Sequence, residues 1–172
     1  MTDSDQEIRQ ELSALVEKRL SLELATASET NIPCASYAPY VCGENLQLYV
    51  FLSDLAKHTA NIRSNPHVSA MIIEDESNSP NLFTRNRLVL ECSVEKINRD
   101  TEEFDQWIGL YKERFGAIVD TLVQLADFNL YVLVPDQGVF VKGFGQAYQI
   151  GGEFMTEVKH ITNPARQTGS EN

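Results

Sequence analysis

The sequence predicts a mainly β domain of the α+β class: a small closed or nearly closed antiparallel barrel with peripheral helices. Three observations carry this. Six or seven short segments alternate apolar and polar residues with period two. Tight Gly-, Pro- and Asn-containing stretches link most of them hairpin-fashion. No strand–helix–strand alternation of the parallel kind dominates. Closing such strands into a barrel removes their exposed edges.

Taken in order, Ser4 and Glu7 form an S-x-x-E capping box, followed by the stripe Ile8, Leu12, Leu15 and Val16 of an amphipathic helix. From Leu20 the period becomes two, and a strand is expected there. PCASYAPYVC and LQLYVFL give a second and a third strand on either side of the turn GEN. A short helix is predicted from Asp54 to about Ser64, with Ser53 as its N-cap and Asn65-Pro66 as its end. HVSAMIIE and Arg87 to Ile97 read as strands around a polar loop, DESNSPNLFT. Asp100 with Glu103 opens a helix carrying Phe104, Trp107, Ile108, Tyr111 and Phe115. Gly116 breaks it before a further turn with Ile118, Val119, Leu122 and Leu125. Two last strands, DFNLYVLV and VFVKGFGQAYQI, are expected to form a hairpin around Pro135-Asp136-Gln137-Gly138. The organisation expected is an N-terminal helix over residues 1–19, a barrel over 20–150 and a polar tail over 151–172.

The chain has 172 residues, and such a length buries roughly 70% of the unfolded surface without disulfide or metal staples. Its net charge of −11 repels nucleic acid and anionic lipid at long range, so neither is an expected partner. No apolar run approaches the ~20 residues of a membrane span. No signal-peptide pattern is visible in MTDSDQEIRQELS, and a cytoplasmic location is expected. Cys34, Cys42 and Cys92 form no C-x-x-C pair and read as small apolar residues in a reducing compartment. His58, His67 and His160 lack zinc-site spacing.

Four stretches could carry chemistry. SDLAKHTANIR places Ser53, Lys57, His58 and Arg63 at a strand-to-helix junction, either an anion site or an ordinary solvated helix start. RNRLVL puts Arg85 and Arg87 two residues apart, able to clamp an anion or to pair with Glu74-Asp75-Glu76. VKGFGQAY lacks the third glycine and following helix of a dinucleotide fingerprint. Its two glycines mark a bulge or a close approach, with Lys142 a candidate anion contact. Asp127 and His160 could act together as a carboxylate orienting a metal-bound imidazole, or His160 could be a solvated tail residue.

Together LATAS, SYAPY, the run Ser53 to Ile62 and NPHVSAMIIEDE resemble the pyridoxamine 5′-phosphate oxidase-like split-barrel superfamily. RNRL, ERFG, LADF and GVFVKGFGQAY narrow the resemblance to its HugZ/HutZ branch of bacterial heme-utilisation proteins. The similarity runs from about Leu20 to Ile150. It implies a homodimer of antiparallel split β-barrels with a small-molecule cofactor at the dimer interface. That cofactor is heme in this branch and flavin mononucleotide (FMN) in the wider superfamily. It further implies that a tail histidine ligates the heme iron and that the aspartate of L-x-D-F hydrogen-bonds it. Asp127 matches the aspartate, and His58 and Arg87 match polar residues lining the pocket. The expected tail histidine would lie a few residues beyond His160, near NPAR, where none stands. Either His160 takes the role or the ligand is lost.

Three functions follow from the resemblance. One is oxidative heme degradation, with Arg87, Lys142 and His58 at the propionates, His160 on iron and an unidentified electron donor. Another is an FMN-dependent oxidoreductase with Ser53, Lys57 and Arg87 on the phosphate. The third is a non-catalytic heme storage or delivery protein. In each, Lys57, Arg85, Arg87 and Lys142 form a local cationic region within an acidic chain.

Overall fold

The computed structural model describes residues 3–162. Helix α1 (Asp3–Lys18) precedes β1 (Ser21–Ala27), β2 (Pro33–Cys42) and β3 (Leu48–Ser53). Helix α2 (Lys57–Ser64) leads to β4 (His67–Ile73) and β5 (Arg87–Ile97). Helices α3 (Glu102–Phe115) and α4 (Ile118–Gln124) come next, then β6 (Phe128–Gly143), β7 (Gln146–Gly151) and β8 (Glu157–His160). The sheet order is β3-β2-β1-β4-β5-β6-β7-β8, all neighbours being antiparallel, and β3 also pairs with β6. Strands β1–β6 therefore close a six-stranded barrel, from which β7 and β8 extend.

Two apolar clusters hold this together. Inside the barrel, Leu22, Leu24, Tyr40, Leu48, Val50, Ile72, Leu88, Leu90 and Leu133 pack together. The α1 stripe of Ile8, Leu12, Leu15 and Val16 is laid against them. Outside, Phe104, Ile108 and Tyr111 of α3 and Val119 of α4 cover Val41, Tyr49, Phe51, Leu130 and Val132. β3 is thus buried on both faces, which explains its uninterrupted apolar run LYVFL.

Several boundaries differ from the sequence reading. The expected hairpin at Pro135–Gly138 is absent: β6 runs through as one strand of 16 residues. Pro135 faces Cys92 and Gln137 faces Glu91, so Asp136 is the extra residue of a bulge. Gly138 follows because a Cβ there would lie 2.6 Å from Leu90 Cδ2 and 2.9 Å from the Val89 carbonyl oxygen. Proline and glycine signal a turn and a bulge alike, since both need a missing N–H or a close backbone approach. The true hairpin lies at Gly143-Phe144-Gly145, where Gly145 adopts φ 68°. Helix α2 starts at Lys57 with Ala56 as its N-cap, not at Asp54 with Ser53. Thr101, rather than Asp100, caps α3 by accepting the Phe104 N–H. Ser4 lies within α1. In the segment expected as a tail, residues 157–160 form β8 on the edge of β7.

At Pro39 the β2–β3 ladder opens, because its last pair is Tyr40↔Val50 and proline offers no N–H. The Tyr111 hydroxyl fills the gap. It accepts the Phe51 N–H at 3.1 Å and lies 2.9 and 2.8 Å from the carbonyl oxygens of Pro39 and Tyr49. Tyr111→Phe should lower unfolding stability by about 1–3 kcal/mol, the cost of an orphaned buried N–H. Urea unfolding checks this, and an unchanged midpoint would contradict the bridging role.

Candidate functional site

Closure of the barrel sets Ser53 opposite Phe128 in the β3–β6 register, next to Asp127. Ser53 Oγ donates to Asp127 Oδ2 at 2.7 Å and accepts the Leu55 N–H at 3.1 Å. The Asp127 carbonyl accepts the Asp54 N–H at 2.7 Å and Asn129 Nδ2 at 3.2 Å. Asn129 also donates to Asp54, whose carboxylate is ion-paired with Arg63. Asp127 thus stands on a hydrogen-bonded platform at one end of the barrel.

His58, on α2, reaches the neighbouring strand β2. Its Nδ1 lies 3.0 Å from Ser36 Oγ, and that hydroxyl donates to the Leu24 carbonyl. With the Ser36 hydrogen so engaged, Nδ1–H is the donor and Nε2 keeps its lone pair. Burial holds the His58 imidazolium below its ordinary pKa, so the neutral ring is favoured.

The four sequence-predicted cations divide. Arg85 precedes β5 and folds back onto the Glu74 carbonyl and the Glu76 carboxylate, which is the acidic-cluster pairing weighed above. Lys142 donates to Glu11 Oε1 at 2.6 Å and ties β6 to α1, and that hydrogen bond raises its pKa. Arg87 donates to the Arg85 carbonyl at 3.1 Å and makes no ion pair among the described residues. Lys57 is exposed and likewise unpaired among them.

Arg87 projects from the outer side of β5, opposite in parity to buried Leu88. Beside its row runs a second outward row: Tyr37, Glu23, Met71, Val89, Val139 and Gln149, in register across six strands. Tyr37 is 68% exposed and Val139 37%, so this face presents apolar side chains to its surroundings.

His160 ends β8 opposite Tyr148. Its Nε2 lies 2.8 Å from the Gly145 carbonyl oxygen, and the two rings are 5.1 Å apart. Gly145 follows one end of β6 and Asp127 precedes the other. At about 3.3 Å of rise per residue, a 16-residue strand keeps them well apart, so the two do not meet within one chain. Of the predicted site residues, Ser53 with Asp127, and Arg87 with Arg85, are joined by hydrogen bonds. Sequence reasoning missed Ser36 as the partner of His58, although its place in SYAPY opposite Leu24 was open to a register argument. It also missed Arg99, whose role below left no pattern.

The thiols are free, and burial pushes Cys42 up to about 11 and Cys92 up to about 12. Neither is a thiolate at neutral pH. Among the described residues no His/Cys/Asp/Glu group could hold a metal ion by itself, and no helix is long and apolar enough to cross a membrane.

A family model described as pyridoxamine 5′-phosphate oxidase matches residues 8–142. The chain belongs to this family. Within the pyridoxamine 5′-phosphate oxidase family it is 40% identical over 172 residues to the heme oxygenase HutZ of Vibrio cholerae, covering 95% of this chain and 97% of that protein. A crystal structure of Vibrio cholerae HutZ, there called a heme storage protein, matches at 41% identity and TM-score 0.74, over 78% of this chain and 94% of that one. Campylobacter jejuni ChuZ matches at 32% identity and TM-score 0.83, over 92% of this chain and 65% of ChuZ. The HutZ-like branch and the split barrel expected from the sequence are thereby borne out.

Because the folded state disfavours charging His58, unfolded chains take up its proton first as the pH falls. The resulting stability is complete above the ordinary histidine pKa of about 6.5 and is lost progressively below it. Melting temperature followed from pH 7.5 to 5 should therefore fall less in His58→Asn than in the native chain. Parallel curves would contradict the neutral assignment.

Proposed function

We propose that this protein is a homodimer that binds heme between its subunits and degrades it oxidatively, as a HutZ-type member of its family. The end-to-end match to a heme oxygenase carries the reading. The residues present fit such a ligand. Arg87, outward and without a carboxylate partner, would pair with a propionate, and Lys57 would serve as a second, exposed cation. Neutral His58, its Nδ1–H given to Ser36, keeps only an Nε2 lone pair and would not donate to an ionised propionate. Bound heme would supply the oxygen chemistry.

The chain's own part is to bind, orient and exclude. Tyr37, Met71, Val89 and Val139 of the row beside Arg87 would pack against the same row of a second copy, an isologous contact that shields the ring from bulk water. Asp127 would accept an imidazole N–H, fixing the tautomer and raising the basicity of the nitrogen presented to iron. His160 is the tail histidine proposed for that ligand. Since it lies far from Asp127 in its own chain, the pairing would be made across the dimer. Lys142 and Arg85, tied to Glu11 and to the 74–76 segment, are better read as structural than as cofactor contacts.

Those ties also bear on the flavin alternative. Ser53 gives its hydroxyl hydrogen to Asp127, which leaves an FMN phosphate chiefly Lys57 and Arg87. Heme is accordingly preferred to FMN. A cytoplasmic location accords with the reading.

Hemin titration tests the proposal. The dimer should take up hemin with a red-shifted Soret band. Arg87→Ala should weaken binding by about 1.5–3 kcal/mol, the range for a charge-assisted hydrogen bond, without moving the band. His160→Ala should move the band. An absent Soret shift would end the heme reading, and an unmoved band in His160→Ala would end the ligand assignment alone.

A further inference from the structure

The LADF turn is held from two sides, by Arg99 and by Ser53. On the backbone side, Arg99 leaves the end of β5 and spans the turn. Its Nη1 donates to the Val123 carbonyl at 2.7 Å, and its Nη2 donates to the carbonyls of Leu125 at 2.8 Å and Phe128 at 2.7 Å. One planar guanidinium thus takes the last carbonyls of α4 together with the first of β6, on both flanks of Asp127. A lysine could not repeat this, because its donors radiate from a single point. The guanidinium also lies 5.4 Å from the Phe104 ring centroid, which seats it on α3.

On the side-chain side stands Ser53. Its hydroxyl oxygen accepts the Leu55 N–H, while its own carbonyl accepts Thr59 Oγ1 at 2.7 Å and the Ala56 N–H at 3.1 Å. With its acceptor side so used, the hydroxyl hydrogen is directed to Asp127 Oδ2. Oδ1 takes no hydrogen bond among the described residues. The carboxylate therefore presents one defined oxygen.

We propose that Ser53 and Arg99 are positioning residues that fix the rotamer and backbone of Asp127, so that Oδ1 meets the N–H of the iron-bound imidazole. The proposal rests on the heme reading and deepens it: basicity transmitted to iron depends on a hydroxyl and a guanidinium that never approach the heme. Ser53 is accordingly not a phosphate-binding residue. It acts through Asp127.

The test uses full-length protein loaded with hemin, in native, Asp127→Asn, Ser53→Ala, Ser53→Thr and Arg99→Lys forms. The readouts are the iron–imidazole stretching band of the reduced protein, by resonance Raman, and hemin affinity, with melting temperature measured alongside. Asp127→Asn should lower the band and weaken hemin binding about 10-fold, the lower end of the effect of an outer-sphere partner. Ser53→Ala should move the band the same way, with a smaller affinity loss than Asp127→Asn, and Ser53→Thr should restore both. Arg99→Lys should shift the band likewise, and a loss of stability without a band shift would remove Arg99 from the proposal. A native band in Ser53→Ala beside a shifted one in Asp127→Asn would overturn the inference and leave the heme reading standing. A native band in Asp127→Asn itself would overturn the part given to Asp127 in that reading, and the inference with it.

Discussion

Closure of the barrel by β3 against β6 is the interaction on which the remaining structure depends. Six residue pairs, from Leu48↔Leu133 to Ser53↔Phe128, join the third strand to the sixth, the strand pairing most distant in sequence among the described residues. Without them β3 is an unpaired edge, and α3 and α4 lose the surface of Tyr49, Phe51, Leu130 and Val132 on which they sit. The same register sets the hydroxyl of Ser53 against the carboxylate of Asp127. One ladder therefore fixes the hydrophobic architecture and aims the Asp127 side chain. Such pairing is non-local, since 74 residues separate the end of β3 from the start of β6, and contacts this distant in sequence slow folding. A site built on it is present only when the whole barrel is.

The long β6 performs the second division of labour. Its first half closes the barrel between β3 and β5. Beyond the Asp136 bulge, its second half leaves β3 and takes β7 as its neighbour. A continuous strand bent by one extra residue thus splits the sheet and carries the outward row beside Arg87 away from the helix-covered side.

Much of this was legible. Period two gave the strands, the α1 stripe fell where Ile8, Leu12, Leu15 and Val16 place it, and Gly116 ended α3 as its spacing implied. What misled was local chemistry with two uses. Pro135 and Gly138 satisfy a turn and a bulge equally well, and only the partner strand decides between them. Ser53 has the composition of an N-cap, yet its hydroxyl is claimed by a residue 74 positions away. Arg99 has no sequence pattern because its partners are carbonyls, which every residue carries. The cationic region also proved smaller than the sequence reading had it. Arg85 and Lys142 are occupied within the chain, which leaves Arg87 and Lys57, of these four, without an ion pair among the described residues.

The central claim is oxidative degradation of bound heme, as distinct from storage. It is tested most directly by following the Soret band of the hemin-loaded dimer under ascorbate and oxygen, with catalase present and a ferrous chelator as iron reporter. Degradation gives loss of the band with release of about one iron per heme. A band that persists under those conditions, with no iron released, would contradict it.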